Sequence, residues 1–332
     1  MRRVRSLASL AGLVLVAVTS TPAVAGHLVD QKVVLDSGQT TCDYSWRFSE
    51  PQFRLDVKCV DEQRSFVFNG RVLYVCGRLG KPQLDFVRSL KVSDPKLTAD
   101  LAKGVCQEAS TDFAVKFYLS PYAAVTAASA TGGPTVGFDI QQHDAALTGS
   151  VETVQKTKCV DFTRSYKLVA RDASRAGDES VNESVCNATS VRWRGNFARE
   201  LGMRLMRQPG GRRSFQTLTA DLRAMAGMPL TVSGKTSGRG LDRKDFGRAY
   251  EVSTVAVRDD SPAPAALGLP EGYRIIDLTT LAGVAQAVAR LSSHDGATTH
   301  PAGDGAPASL DAQDLVRALI LGVNPAAGLF AH

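Results

Sequence analysis

Residues 42–76 constrain this chain more tightly than any other stretch, because they read as an antiparallel meander whose register can be counted. Phe66-Val67-Phe68 and Val72-Leu73-Tyr74-Val75 are β-branched and aromatic runs on either side of Asn69-Gly70, the strongest short-range signal for a two-residue hairpin with a type I′ turn. That turn sets Phe68 opposite Arg71. Upstream, Trp46-Arg47-Phe48 and residues 53–57 flank Ser49-Glu50-Pro51-Gln52. If Phe48 faces Phe53, then Cys42 faces Cys59. A non-hydrogen-bonded cross-strand pair brings two Cα atoms to about 4.5 Å, within disulfide range. Register therefore predicts a Cys42–Cys59 bridge.

At the start of the chain Arg2, Arg3 and Arg5 precede an apolar run over residues 7–18 and then Ala23-Val24-Ala25. This is the layout of a secretory signal peptide cut after Ala25, and the run falls short of the ~20 residues a membrane span needs. Losing those three arginines takes the formal charge from +6 to about +3, too mildly basic for nucleic acid to be the expected partner. The expected compartment is the periplasm or the exterior. There an even set of six cysteines reads as disulfides. Order alone does not choose among the connectivities, but with Cys42 and Cys59 paired by register the rest divide into Cys76–Cys106 and Cys159–Cys186. No two cysteines stand at zinc-type spacing, so neither metal nor other cofactor is expected.

After Cys76 the apolar period lengthens. Leu84, Val87, Leu90, Leu97 and Leu101 recur at helical spacing, with Lys81-Pro82 and Asp94-Pro95 as starts. Phe113, Val115, Phe117 and Leu119 alternate and predict a strand stopped by Ser120-Pro121. Residues 122–137 are small and turn-rich and predict a loop, with a strand resuming at Phe138-Asp139-Ile140 before the polar Gln141-Gln142-His143-Asp144. Val160, Phe162, Tyr166 and Leu168 share one face of a strand, with residues 181–186 as its return. Phe197, Leu201 and Leu205 form a helical stripe, as do Phe215, Leu218, Leu222 and Met225. Strands at 229–232 and 250–257 follow, joined by a Gly- and Arg-rich connection. Residues 278–332 form a separable extension: a helix, a Gly- and Pro-rich linker, and an apolar helix carrying Leu315, Leu319 and Val323. Such a helix needs a partner surface, on its own domain or on another envelope protein.

Gly227-Met228-Pro229-Leu230 at a strand entry and Leu269-Pro270-Glu271-Gly272-Tyr273 near the end, in a chain ordered meander, helix, strands, helix, long hairpin, resemble exported bacterial proteins of unknown function grouped with the LolA-like lipoprotein carriers. The resemblance implies an α+β fold over residues 26–277. Its centre is a strongly curved antiparallel sheet, a half-barrel with helices covering the concave apolar face. It also implies a non-enzymatic role, holding a lipid or a lipoprotein acyl chain. From the residues alone, a sheet buried on one face must be covered, and few helical segments are available for it. The alternative is a filled core, which makes the chain a disulfide-stapled envelope interaction or structural protein.

A third reading is a serine acyl-transfer hydrolase. Ser93-Asp94-Pro95-Lys96, Ser180-Val181-Asn182 and Lys235-Thr236-Ser237-Gly238 stand in the order of that chemistry's boxes. The helical domain such enzymes place between the boxes is missing, so no catalytic residue is assigned. Around an amphipathic helix, residues 192–213 hold seven arginines against one acid, Glu200. Arg192, Arg194, Arg199, Arg204 and Arg207 are candidates for contact with anionic headgroups or an acidic ligand. The competing reading is a solvated face whose arginine stems lie along the helix.

Overall fold

Alternation decides how the first half folds. Cys42, Tyr44, Trp46 and Phe48, then Phe53, Leu55 and Val57, are buried at every second position, so each strand offers one apolar face and the faces must line up. The computed structural model describes residues 26–60, 63–78, 99, 103–131, 138–170, 178–207, 211–212, 215–216, 227–239 and 245–276. The expected signal peptide, the helices over 84–101 apart from residue 99, most of the helix from Phe215 to Met225 and the extension over 278–332 lie outside them.

Six strands come first: β1 (His27–Leu35), β2 (Thr40–Ser49), β3 (Gln52–Lys58), β4 (Gln63–Phe68), β5 (Leu73–Gly77) and β6 (Val105–Glu108). Helices α1 (Thr111–Leu119) and α2 (Pro121–Thr131) lead to β7 (Phe138–Val154), β8 (Thr157–Ala170) and β9 (Glu179–Arg192). Then follow α3 (Gly195–Leu205), β10 (Gly227–Arg239), β11 (Asp245–Asp259), the short α4 (Pro264–Leu267) and β12 (Arg274–Ile276). All twelve strands join one sheet in the order β12-β6-β5-β4-β3-β2-β1-β11-β10-β9-β8-β7. Every pairing is antiparallel except β12 with β6, and the sheet is not closed, with β12 and β7 at its ends.

The counted register holds where it was counted. Phe48 faces Phe53, and Cys42 bonds Cys59 with Cα atoms 4.2 Å apart. Cys76–Cys106 and Cys159–Cys186 complete the set, at Cα separations of 4.0 and 5.3 Å. The Asn69-Gly70 hairpin differs from expectation. Phe68 pairs with Leu73 rather than Arg71, so the connection spans residues 69–72. Asn69 Oδ1 accepts from the backbone N–H groups of Arg71 and Val72 at 3.0 and 2.9 Å, and Gly70 takes φ +94°. A two-residue turn would put Arg71 beside Phe68 on the buried face. The longer turn matches Phe66 with Val75 and Phe68 with Leu73 and leaves Arg71 exposed.

The strand expected at residues 113–119 is the helix α1. Ser110 caps it, accepting from Phe113 N–H at 3.1 Å. Phe113, Ala114, Val115, Phe117, Tyr118 and Leu119 are all buried, so the helix is apolar on several sides and its 3.6-residue period disappears from the pattern. The loop expected from residue 122 is α2 as far as Thr131. Pro121 suits a first helical position, and alanine is the best helix former. Ser120 Oγ accepts from Ala123 N–H at 3.0 Å. β7 runs on through Gln141 and Asp144, which face solvent. It carries register shifts at Ile140/Gln142 and Leu147/Val151, which an edge strand tolerates. The connection expected between β10 and β11 is largely strand: its glycines and arginines pair in register from Ser233 to Arg239.

Among the described residues, the three longer helices meet the sheet through aromatic rings. Phe53 of β3 lies 6.2 Å from Trp46, 5.4 Å from Phe68, 6.1 Å from Phe117 of α1, 5.1 Å from Trp193 and 5.5 Å from Phe197 of α3, centroid to centroid. Replacing Phe53 by Ala is expected to cost about 3–5 kcal/mol by denaturant unfolding, the range for a buried phenylalanine. A loss near that of an exposed site would remove Phe53 from the centre of the core.

Candidate functional site

Two neighbouring cross-strand rows on the buried face of the sheet have opposite chemistry. The first is apolar and passes through Cys42, Val33, Val252, Val232, Val185, Phe162 and Leu147, directly paired from β2 to β7. It is buried from Val33 to Val185, half-buried at Phe162 and 62% exposed at Leu147. Beyond it, Val151 opposite Val160 is 63% exposed. The apolar face thus comes out into solvent at the β7–β8 end.

The second row is polar: Tyr250 of β11, Gly234 of β10, Glu183 of β9 and Arg164 of β8 stand side by side. Glu183 Oε1 accepts from Tyr250 OH at 2.7 Å and from Ser120 Oγ at 2.5 Å, and its Oε2 pairs with Arg164 Nε. The Arg164 and Glu183 side chains are both buried. Gly234 makes the row possible, because the Tyr250 ring lies across it; a Cβ there would meet that ring at 2.3 Å and the hydroxyl at 2.7 Å. Beside this row Glu179 pairs with Lys116 of α1 and accepts from Thr236 Oγ1 at 3.4 Å. Ser120 therefore caps α2 and ties it to the sheet in one residue.

A further node sits at Gln31 on β1, which is 2% exposed. Its Nε2 donates to Pro229 O at 2.7 Å and to Thr254 Oγ1 at 3.1 Å. Its Oε1 accepts from Trp46 Nε1 at 3.0 Å and Tyr122 OH at 2.8 Å. All four hydrogen-bonding positions of the amide are used. Pro229 stands where the β9–β10 ladder shifts register, between Pro229 and Thr231.

Burial shapes the titration of this interior. Burial opposes the Arg164 charge, but Glu183, by charge and hydrogen bond, with help from Tyr250 and Tyr166, holds its pKa above the usual guanidinium value. Burial first, then Glu183, holds Tyr250 and Tyr166 far above the ordinary phenol value. Burial and the nearby Arg164 lower Arg194 to about 9.

Of the arginines proposed to meet an anionic surface, Arg194 does not lie on one. It is 1% exposed, with its guanidinium over the rings of Trp193 at 4.7 Å and Tyr118 at 5.7 Å. Arg204 is half-buried and paired with Glu108 at 2.8 Å, whereas Arg192, Arg199 and Arg207 are exposed. Of the acyl-transfer boxes, Ser93 lies outside the described residues. Asn182 stands opposite Lys235 on neighbouring strands and lines a depression of about 480 Å³ together with Asp144, Thr163, Arg164, Ser165 and Glu183. Glu152, Asp161 and Cys186 approach one another as metal ligands would, but the Cys186 sulfur is in a disulfide. No protein-family profile matches the chain, and no curated protein matches it.

The residues that sequence reasoning passed over are Arg164, Glu183, Gly234 and Tyr250. One signal was present: Arg164 occupies the apolar face of β8 between Phe162 and Tyr166, where a charge needs a partner. Two outcomes follow, the first from the polar row and the second from the buried tyrosines. Gly234→Ala displaces the Tyr250 ring, with an expected cost of about 1–3 kcal/mol from the Glu183 acceptor left short of a donor. Tyr250→Phe costs correspondingly less in the Gly234→Ala background, as a double-mutant cycle in urea reads directly.

The second outcome concerns alkali. Tyr44, Tyr118, Tyr122, Tyr166 and Tyr250, of seven tyrosines in the chain, all have raised pKa values, with burial the first cause in each. Unfolded tyrosines ionise near pH 10, so above that pH the unfolded chain has released protons the folded chain keeps, and stability falls as pH rises. Arg64 and Arg194, lowered to about 10 and about 9 chiefly by burial, pull the other way because the folded chain releases their protons first. The five phenols outnumber them. Phenolate absorbance from those five is expected only as the protein unfolds in alkali; their titration near pH 10 with the far-ultraviolet dichroism intact contradicts the burial assigned to them.

Proposed function

We propose that the protein is a non-enzymatic carrier or sensor of a hydrophobic ligand, acting in the periplasm or outside the cell. Three disulfides fit an oxidising compartment, and no helix among the described residues is long and apolar enough to cross a membrane. On this reading the open sheet is a curved half-barrel with α1, α2 and α3 over its concave face. The observation that carries the proposal is the apolar row that is buried through β1, β11, β10 and β9 and emerges at Phe162, Leu147 and Val151. Exposed apolar side chains continuous with a buried face mark where a ligand is met. Ser120, the hydroxyl nearest the buried charges, is engaged with Glu183 and the start of α2, which supports binding rather than catalysis.

A second reading has an observation of its own. The rings of Trp46, Phe53, Phe117, Trp193 and Phe197 fill the face beneath α1 and α3, as they would in a disulfide-stapled interaction protein that carries nothing. Purification from an oxidising compartment without detergent, followed by denaturing mass spectrometry and organic extraction, separates the two. Near-stoichiometric lipid is the expected result. A clean apoprotein that also takes up no fluorescent acyl probe overturns the carrier reading and leaves the second one. Leu147→Ser with Val151→Ser is expected to weaken probe uptake at least several-fold while leaving the unfolding midpoint nearly unchanged, since both side chains are mostly exposed.

A further inference from the structure

Arg164 uses only part of its hydrogen-bonding capacity. Its Nε pairs with Glu183, while Nη1 and Nη2 are buried and make no hydrogen bond among the described residues. Glu183 cannot serve them fully, because its other oxygen already takes Ser120 and Tyr250. A desolvated guanidinium with two open donors is costly. Its planar fork fits one kind of acceptor best, a carboxylate or similar oxyanion taken with two parallel bonds.

The surroundings continue the argument. Phe162 and Tyr166 flank Arg164 on the same face of β8, and Tyr166 keeps its proton as a donor. Directly opposite Arg164 on the edge strand stands the small Ala145. Next along are Leu147 opposite Phe162, then Val151 opposite Val160. The strip is one strand pair wide, which suits one hydrocarbon chain rather than two. From Arg164 to Val160 it measures about 13 Å at the rise of an antiparallel strand, roughly ten methylenes. A second guanidinium, Arg194, lies within electrostatic range of Arg164 and adds positive potential. The nearby acids Glu183 and Glu179 are matched by Arg164 and Lys116.

We propose that the ligand is a single-chain fatty acid bound head-inward, its carboxylate on Nη1 and Nη2 of Arg164 and its tail along Phe162, Leu147 and Val151 towards the β7–β8 end. This rests on the carrier reading and narrows it to a free acid, in contrast to an acyl chain held in ester or amide linkage. An ester carbonyl offers the open Nη1 and Nη2 a weaker, uncharged acceptor in place of two equivalent carboxylate oxygens.

The test compares laurate, methyl laurate and dodecanol as competitors of a fluorescent acyl probe on the full-length protein. Laurate is expected to compete at least tenfold better than either neutral analogue. Arg164→Gln strands Glu183 in the interior and endangers the fold, so Arg164→Lys is the working variant: it keeps a cation for Glu183 but lacks the fork. In Arg164→Lys the preference for laurate is expected to collapse while methyl laurate competes as before. Equal competition by laurate and methyl laurate, or a preference that survives Arg164→Lys, overturns the head-group assignment and leaves the carrier reading in place. If the probe itself does not bind, the carrier reading fails, and this assignment with it.

Discussion

The ring of Phe53 is where the two halves of this molecule meet. It comes from the counted meander, yet it packs on Phe117 from the helix after β6 and on Trp193 and Phe197 from the segment after β9. An open sheet with one apolar face has no stable existence until something lies on that face. Aromatic rings do this well, since each buries a large area and tilted or edge-on contacts add to it. α1 and α3 each bring a ring to Phe53, and α2 starts directly from α1, because Ser120 both ends one helix and begins the next.

Away from the rings the same face is braced by polar groups, and the two regions do different work. Aromatic packing tolerates small displacements; Gln31 does not, because all four of its bonds are made to β2, β10, β11 and α2. The Arg164–Glu183 pair adds little net stability, as desolvation consumes much of the attraction between buried charges. Its effect is to make alternative registers expensive. A strand that slipped by two residues would keep Glu183 on the buried face but away from Tyr250 and Ser120, leaving a buried carboxylate short of its donors.

How much of this was legible depended on whether the period survived folding. The Phe48/Phe53 register and the Cys42–Cys59 bridge could be counted because β2 and β3 have one wet face and one dry one. The Phe197, Leu201, Leu205 stripe of α3 was legible for the same reason. Phe113 to Leu119 was misread because that helix is wrapped on several sides, which erases the period. The alternation left behind belongs equally well to a strand. The alanines of α2 carried no period at all. β12 could not be foreseen: Arg274-Ile275-Ile276 is too short to stand out, and its parallel partner β6 is remote in sequence. The polar row was hidden because its meaning lies across four strands. Gly234 reads as a turn residue until Tyr250 is seen to lie over it.

The disulfides acquire a sharper role in this light. In a sheet, a one-residue slip turns every side chain to the opposite face, and the strands most exposed to slipping are those near an edge with polar, bulged neighbours. β8 is such a strand: its partner β7 is the sheet edge and changes register twice. Cys159–Cys186 ties β8 to β9 near the paired positions that set Arg164 opposite Glu183 and Phe162 opposite Val185. One covalent link thus keeps the buried cation and the emerging apolar row on the same face, a condition any amphiphile reaching this end of the sheet depends on. Cys42–Cys59 does the corresponding work for β2 and β3 beneath the aromatic cluster. Each bridge stands beside the strand pair whose register decides what the interior contains, so their placement serves specificity as well as stability.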